Sequence, residues 1–305
     1  MEDQNAAEID PEAAARRSLL ALPSFVSRLS PISFVGDSNV LVHRNALYRD
    51  VPTFVQPVVT QAIYCEQIRA QTFTTPEGAL NPAVLYPLLG SLALLGDPED
   101  WGSERRADVV RRHQADLERF GERWVPDFDE TFWRPVVVFH VGNLDFRGAL
   151  LELGNDCDFS FESPRFDETA FARRAATAAV PAALVRSLVR RMFEPFFRGL
   201  VALRDAGLTH IAVHDLQPPN PSDELFSIQL GGALFAAALR YKLTLAINES
   251  LERFCAEERL HFLDIWDRVT VRGLLDERFV LDESHLNAAA ARLSVERLGE
   301  LLAAT

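Results

Sequence analysis

The apolar positions of this chain fall in short, nearly unbroken runs. SFVG at 33–36, PVVVFHVG at 135–142, THIAVHDL at 209–216 and HFLDIWD at 261–267 are each bounded by Gly, Pro or polar residues. Runs of this length without polar alternation suit strands buried on both faces, the habit of parallel sheets. TFVQPVV at 53–59 is a further strand candidate. Pro57 places it at an edge or an end, because proline has no N–H to give a ladder.

Between the runs the pattern turns helical. PEAAARRSLLAL near the N-terminus reads as a short helix with Pro11 in its first turn. Residues 39–48 and 60–71 read as helices, as do most of 169–206, with breaks near Pro181 and Pro195, and one or two segments of 223–258. NAAAARLSVERLGELL at 287–302 closes the chain as a helix, with Asn287 as its N-cap. Alternating strands and helical crossovers give an α/β, doubly wound, parallel sheet covered on both faces.

Residues 72–134 break the alternation. Proline and glycine punctuate the first half, and GSERRADVVRRHQADLERFGERW at 102–124 is an amphipathic helix with Val109, Val110, Leu117 and Phe120 among charges. The organisation expected is an N-terminal tail and short helix over 1–30, then a single α/β domain over 31–305 carrying a helical insertion at about 72–134. That insertion is either a lid or a solvated helix.

The 305 residues carry 31 basic and 44 acidic side chains, a net charge of -13. A nucleic-acid partner requires a basic face to neutralise phosphates, and no such cluster occurs. Three scattered cysteines, Cys65, Cys157 and Cys255, lack the spacing of a disulfide framework or a zinc site. The N-terminus lacks a signal h-region and no run of about 18 apolar residues occurs, so the expectation is a cytoplasmic protein without a membrane partner. Nothing in the composition fixes an oligomeric state.

Open α/β sheets bind ligands beyond the carboxyl ends of their strands. The polar residues collected there are Asp37, Ser38 and Asn39 after the first run, Gly142, Asn143, Asp145 and Arg147 after PVVVFHV, and His214 and Asp215 at the end of THIAVHDL. Asp282 and His285 follow in LDESHLN near the C-terminus. A serine at a helix start is often only a cap. In company with a histidine and an aspartate it becomes a candidate nucleophile. His285 takes its proton as base, and Asp282, three residues earlier, fixes the imidazole tautomer. The Asn143 amide and the Ser38 N–H are candidate oxyanion donors. The window GDSNV is not the GxSxG elbow of α/β-hydrolases, since Val40 stands where its second glycine belongs. Asp145 and Arg147 form either an ion pair or a binding site for a substrate carboxylate. His140 reads as a core histidine, and His210 with His214 as packed strand residues.

GDS after the first strand, Gly-Asn after a central strand and DxxHLN near the C-terminus resemble the SGNH (GDSL-type) hydrolase superfamily over about residues 31–303. The resemblance implies a flavodoxin-like three-layer sandwich with a central parallel sheet. It also implies a Ser38–His285–Asp282 triad, with the Ser38 N–H, a glycine N–H and Asn143 as the oxyanion hole. No cofactor and no metal are implied. The chain departs from the pattern in three places. Asn39 replaces the usual leucine. GNLDFR replaces GxND and is similar to the G-E-I-D-x-R segment of one subgroup, with Arg147 as the shared arginine. Gln56 stands where some relatives have Gly-Pro, with Gly78 and Gly90 as further candidates for the missing glycine. The expected substrate-binding residues are therefore Asn39, Gln56, Gly142 and Arg147. The function expected is an esterase or deacylase acting on an acyl ester of a polar small molecule or sugar. Acyl transfer from the same site, and a non-catalytic carbohydrate- or partner-binding domain, are the alternatives.

Overall fold

The computed structural model describes residues 30–44, 46–54, 58–85, 88, 136–171, 178–206, 208 and 210–303. The N-terminal tail and helix, most of the 72–134 insertion with its amphipathic segment, Gly90 and Gln56 lie outside the described residues.

Five strands form the frame: β1 Ser30–Gly36, β3 Val58–Tyr64, β4 Val136–His140, β7 His210–His214 and β8 His261–Leu263. They run parallel in the order β3-β1-β4-β7-β8, and the short strand β2 Ala46–Tyr48 adds antiparallel to the outer edge of β3. Among the parallel strands this is the 2-1-3-4-5 order of a doubly wound sheet, whose switch point lies between β1 and β4. Two further pairs, Cys157–Phe159 (β5) with Ala178–Val180 (β6) and Thr270–Val271 (β9) with Leu274–Leu275 (β10), lie outside the main sheet.

Side-chain alternation along the strands separates two apolar layers. Val35, Val137, Phe139, Ile211 and Val213 face one way, packing against Asn143–Leu153 (α1), Ala182–Asp205 (α2) and Ala237–Glu258 (α4). Ile32, Phe34, Val138 and Ala212 face the other, where Ala288–Ala303 (α6) covers them with Val295 and Leu298. Helices thus lie on both faces of a mostly parallel six-stranded sheet. Both faces of β1 and β4 are dry, which is why their sequences carry no polar alternation.

The structure corrects several local readings. The second strand is 58–64, not 53–59, and it consumes the start of the helix expected over 60–71; only a 3-10 turn, Ala70–Thr72, follows. Pairing with β1 on one side and β2 on the other overrides the helical propensity of TQAIY. The helix expected over 39–48 is a 3-10 segment, Ser38–His43, followed by β2. α2 runs unbroken through Pro195, with Met192, Phe193 and Phe196 buried around it. The 223–258 region divides into Asp223–Ile228 (α3) and α4. HFLDIWD supplies a strand of only three residues before the short helix Trp266–Val269 (α5). Asn287 caps α6 as expected, its Oδ1 accepting from the Ala289 N–H at 3.0 Å.

Candidate active site

β1 ends at Gly36 because a side chain cannot fit there: a Cβ would lie 2.0 Å from the His140 carbonyl oxygen on β4. The two central strands therefore deliver their next residues side by side. After Gly36, Asp37 caps the 3-10 segment by accepting from the Asn39 N–H at 3.0 Å, and Ser38 is the segment's first residue. The cap role considered for the serine thus belongs to Asp37. After β4, Gly142 takes φ +131° and starts α1, whose first residue is Asn143. A Cβ on Gly142 would meet Phe193 Cζ at 2.7 Å, so both backbone angle and space require glycine.

Asp37 ties these two strand ends together. Its Oδ1 accepts from Asn39 Nδ2 at 2.7 Å, and its Oδ2 accepts from Asn143 Nδ2 at 3.3 Å. The Asn143 amide carries two hydrogens, so one remains for another acceptor. Asn39 is buried and turned to Asp37, and its Oδ1 has no partner among the described residues.

Asp282 and His285 come from the loop before α6. This loop is closed by the Val280–Leu286 bridge, and the Leu281 N–H donates to the His285 carbonyl at 2.9 Å. Asp282 Oδ1 accepts from the backbone N–H groups of Ser284 and His285, both at 2.8 Å, so one carboxylate shapes the turn. The same carboxylate lies 2.9 Å from His285 Nδ1, and His285 Nε2 lies 2.9 Å from Ser38 Oγ. With a carboxylate at Nδ1, the neutral ring carries its proton there and presents Nε2 as an acceptor to the serine hydroxyl. Burial alone would raise the Asp282 pKa, but hydrogen bonds from the Ser284 N–H and the His285 ring outweigh it and hold the group below its ordinary value.

The loop is fastened from across a cleft. Gln217 Nε2 donates to the Ser284 carbonyl, and Gln229 Nε2 donates to the Glu283 carbonyl. Gln217 opens the QPPNP loop after β7, and buried Arg240 holds that loop through the Asn220 and Pro221 carbonyls and the Asp223 carboxylate, the last at 2.6 Å. The cleft is narrow and is lined by Asn143, Arg147, Gln217, Gln229 and the 282–286 loop, together with apolar side chains that include Phe146 and Leu216.

Four of the expected residues thus converge: Ser38, His285 and Asp282 in a hydrogen-bonded line, and Asn143 on the cleft wall with Asp282 and His285, while Ser38 reaches the cleft through its contact with His285. Arg147 lines the cleft one helical turn beyond Asn143, and Gly142 shapes the backbone behind it. Asn39 is not part of the lining. Asp145 is a backbone anchor: its buried carboxylate accepts from the Ala70 N–H at 2.7 Å and the Gln71 N–H at 3.3 Å. Gly78 lies in a turn between Thr75 and Ala79. The carboxyl end of β3, beside Gly36, is instead followed by Gln67 with φ +54°, a left-handed residue that the sequence did not mark.

Beneath the site lies a layer of buried histidines. His140 and His214 stack with ring centroids 4.4 Å apart, and His43 stacks on Phe34 at 3.5 Å. His214 Nε2 bonds Ser294 Oγ at 2.9 Å, and its Nδ1 lies 2.8 Å from Asp215 Oδ1. Neither nitrogen of His140 has a partner among the described residues. Burial, reinforced by neighbouring histidines, lowers the pKa of both His43 and His140 well below the usual value. Among the described residues, no group of three or more His, Cys, Asp or Glu side chains could hold a metal ion, and no helix is long and apolar enough to cross a membrane. Cys65, Cys157 and Cys255 are free thiols.

No family model and no curated protein matches the chain. A distant structural neighbour is a chain from Streptococcus pneumonia provisionally named a platelet activating factor. It aligns with a TM-score of 0.44 and 14% identity, over 95% of this chain and 92% of that chain.

Proposed function

We propose that this protein is a serine hydrolase of the SGNH type, an esterase or deacylase that cleaves an acyl ester of a polar small molecule or sugar. The observation that carries the reading is the continuous contact Ser38 Oγ–His285 Nε2–Asp282, each step 2.9 Å. A serine hydroxyl aligned with a neutral imidazole, itself aligned with a carboxylate, is an activated nucleophile.

Ser38 Oγ attacks the acyl carbon as its proton passes to His285 Nε2. The carbonyl π electrons move to oxygen, where the free Asn143 N–H and the Ser38 N–H stabilise the charge. Asp282 stabilises the imidazolium. Collapse of the tetrahedral adduct breaks the ester C–O bond, and the leaving oxygen takes the proton from Nε2. Water then gives a proton to Nε2 as its oxygen adds to the acyl-serine carbon. The second collapse expels Ser38 Oγ, which recovers the proton, and the carboxylic acid leaves. No redox step occurs and the protons balance within the triad.

Asp37 and the two glutamines support this sequence by holding Asn143 and the 282–286 loop. Hydrolysis of 4-nitrophenyl acetate by wild-type and Ser38→Ala protein tests the reading. The variant is expected to lose on the order of 10³-fold or more in kcat with an unchanged melting temperature. Equal turnover by both proteins would refute it.

A further inference from the structure

Among the described residues, the partly and fully buried cations follow a rule with one exception. Arg165, Arg204, Arg240, Lys242, Arg268 and Arg297 each have a carboxylate oxygen between 2.6 and 3.0 Å away. Arg147 is partly buried as well, yet among the described residues it has no carboxylate at hydrogen-bonding distance. It stands on the wall of the cleft that contains Asn143 and His285. Being four residues after Asn143 in α1, it shares that residue's helix face, one turn away.

Asp37 and Glu283 act on Arg147 only at longer range, and burial strips part of its hydration. Asp37 turns its oxygens to Asn39 and Asn143 and makes no close ion pair with Arg147. Of the other polar side chains of the wall, Asn143 keeps one free N–H for the acyl oxygen, and Gln217, Gln229 and Thr244 are engaged. Gln217 and Gln229 bond the catalytic loop, and Thr244 Oγ1 donates to the Arg240 carbonyl at 2.9 Å. Among the described residues, then, Arg147 has no hydrogen-bond acceptor and brings its donors to the cleft. A guanidinium presents them as a planar fork that fits two oxygens of a carboxylate or phosphate.

Building on the serine-hydrolase reading, we propose that Arg147 anchors an anionic oxyacid group, carboxylate or phosphate, carried on the acyl or the alcohol side of the ester. The surroundings sharpen the dependence on this one residue. Asp37, Asp282 and Glu283 make the rest of the site acidic, so an anion is held by direct contact with Arg147, not by long-range attraction. Without the guanidinium the same cleft repels the same substrate.

Two matched ester pairs test the proposal in wild-type and Arg147→Gln protein: mono-4-nitrophenyl succinate against 4-nitrophenyl butyrate for the acyl side, and 4-acetoxybenzoate against its methyl ester for the alcohol side. The wild type is expected to prefer the anionic member of one pair, which identifies the side. In Arg147→Gln, kcat/KM for that ester falls about tenfold or more, through KM, and for its neutral partner less than about twofold. Equal losses on both members, or no anionic preference in either pair, overturn the proposal. A second arm is independent of catalysis. Succinate and inorganic phosphate are titrated calorimetrically into Ser38→Ala and into Ser38→Ala/Arg147→Gln protein. Heat of binding that requires Arg147 supports the anchor even if ester hydrolysis is absent, in which case the hydrolase reading alone fails. Binding by neither protein, or equally by both, overturns the anchor while leaving that reading intact.

Discussion

His285 Nε2 lies 2.9 Å from Ser38 Oγ, across 247 residues of sequence. Ser38 opens the turn after central strand β1, and His285 sits on the loop before the last helix. Only the doubly wound sheet, with α6 packed back over β1, brings the two together. A packing histidine would not require the additional carboxylate that Asp282 places at its far nitrogen.

Asp282→Asn tests the orienting role directly. An asparagine Oδ1 still accepts from the Ser284 and His285 amides that shape the turn. The charge that stabilises the imidazolium is lost, and the tautomer is no longer enforced. kcat for ester hydrolysis is expected to fall on the order of 10³-fold, while far-UV circular dichroism and the melting temperature stay near wild type. Retention of activity within a factor of about three would remove Asp282 from the mechanism.

The loop that carries Asp282 and His285 is held by two side-chain amides, from Gln217 and Gln229. Glutamate at both positions keeps the size but replaces the donor with an anion facing a carbonyl. The Gln217→Glu/Gln229→Glu protein is expected to show faster amide hydrogen exchange over 280–287 and a kcat lower by about tenfold, with KM little changed. Unaltered exchange in that segment would show that the amides do not restrain it.

Acid pH should destabilise the protein through its histidine layer. His43 and His140 have lowered folded-state pKa values because burial disfavours the imidazolium. The unfolded chain therefore binds more protons below about pH 6.5, and stability falls as pH drops through that value. Asp215 works in the opposite sense. Burial raises its pKa from 3.8 to about 6 despite His214, so the folded protein keeps a proton there that the unfolded chain releases. Asp145 and Glu249, raised by burial to a lesser degree, act with Asp215, and His261, lowered by burial, acts with the two deeply buried histidines, which outweigh them. The urea midpoint should decline from pH 7.5 to 5.5, and His140→Phe, which keeps the stack on His214 and loses no hydrogen bond to a described residue, should recover about 1 kcal/mol of that decline. A variant whose pH dependence matches wild type would place the acid sensitivity elsewhere.

Gly142→Ala combines a disfavoured φ of +131° with a Cβ 2.7 Å from Phe193 and 3.2 Å from Leu216. The expected loss is about 2 kcal/mol or more, read as a lower melting temperature in a thermal scan, together with reduced kcat as Asn143 shifts. A melting temperature within about a degree of wild type would show that the turn relaxes freely.

The buried strands were legible because strands covered on both faces have no polar side to show. β3 was not. Through TQAIY its positions run buried, half-buried, half-buried, buried and exposed, neither a dry run nor a clean alternation, and it owes its strand state to its neighbours β1 and β2. β2 has only three residues, too few to carry a pattern. The line from Ser38 to Asp282 was legible because its chemistry depends on residue type and order. The supports of the site were not: Asp37 reaching Asn143, and Gln217 and Gln229 reaching the loop, are hydrogen bonds across 106, 67 and 54 residues that no local pattern encodes. Asn39, which departs from the resemblance beside Ser38, turns inward to Asp37 and does not line the cleft.

The central claim, that Ser38 is a nucleophile activated by His285, is tested most directly by intact-mass and peptide analysis after exposure to a fluorophosphonate probe at neutral pH. The account predicts one adduct, located on the peptide that contains Ser38, at a rate reduced on the order of 10²-fold or more in His285→Ala protein. A wild-type protein that acquires no adduct on Ser38, or one labelled there equally fast without His285, would contradict it.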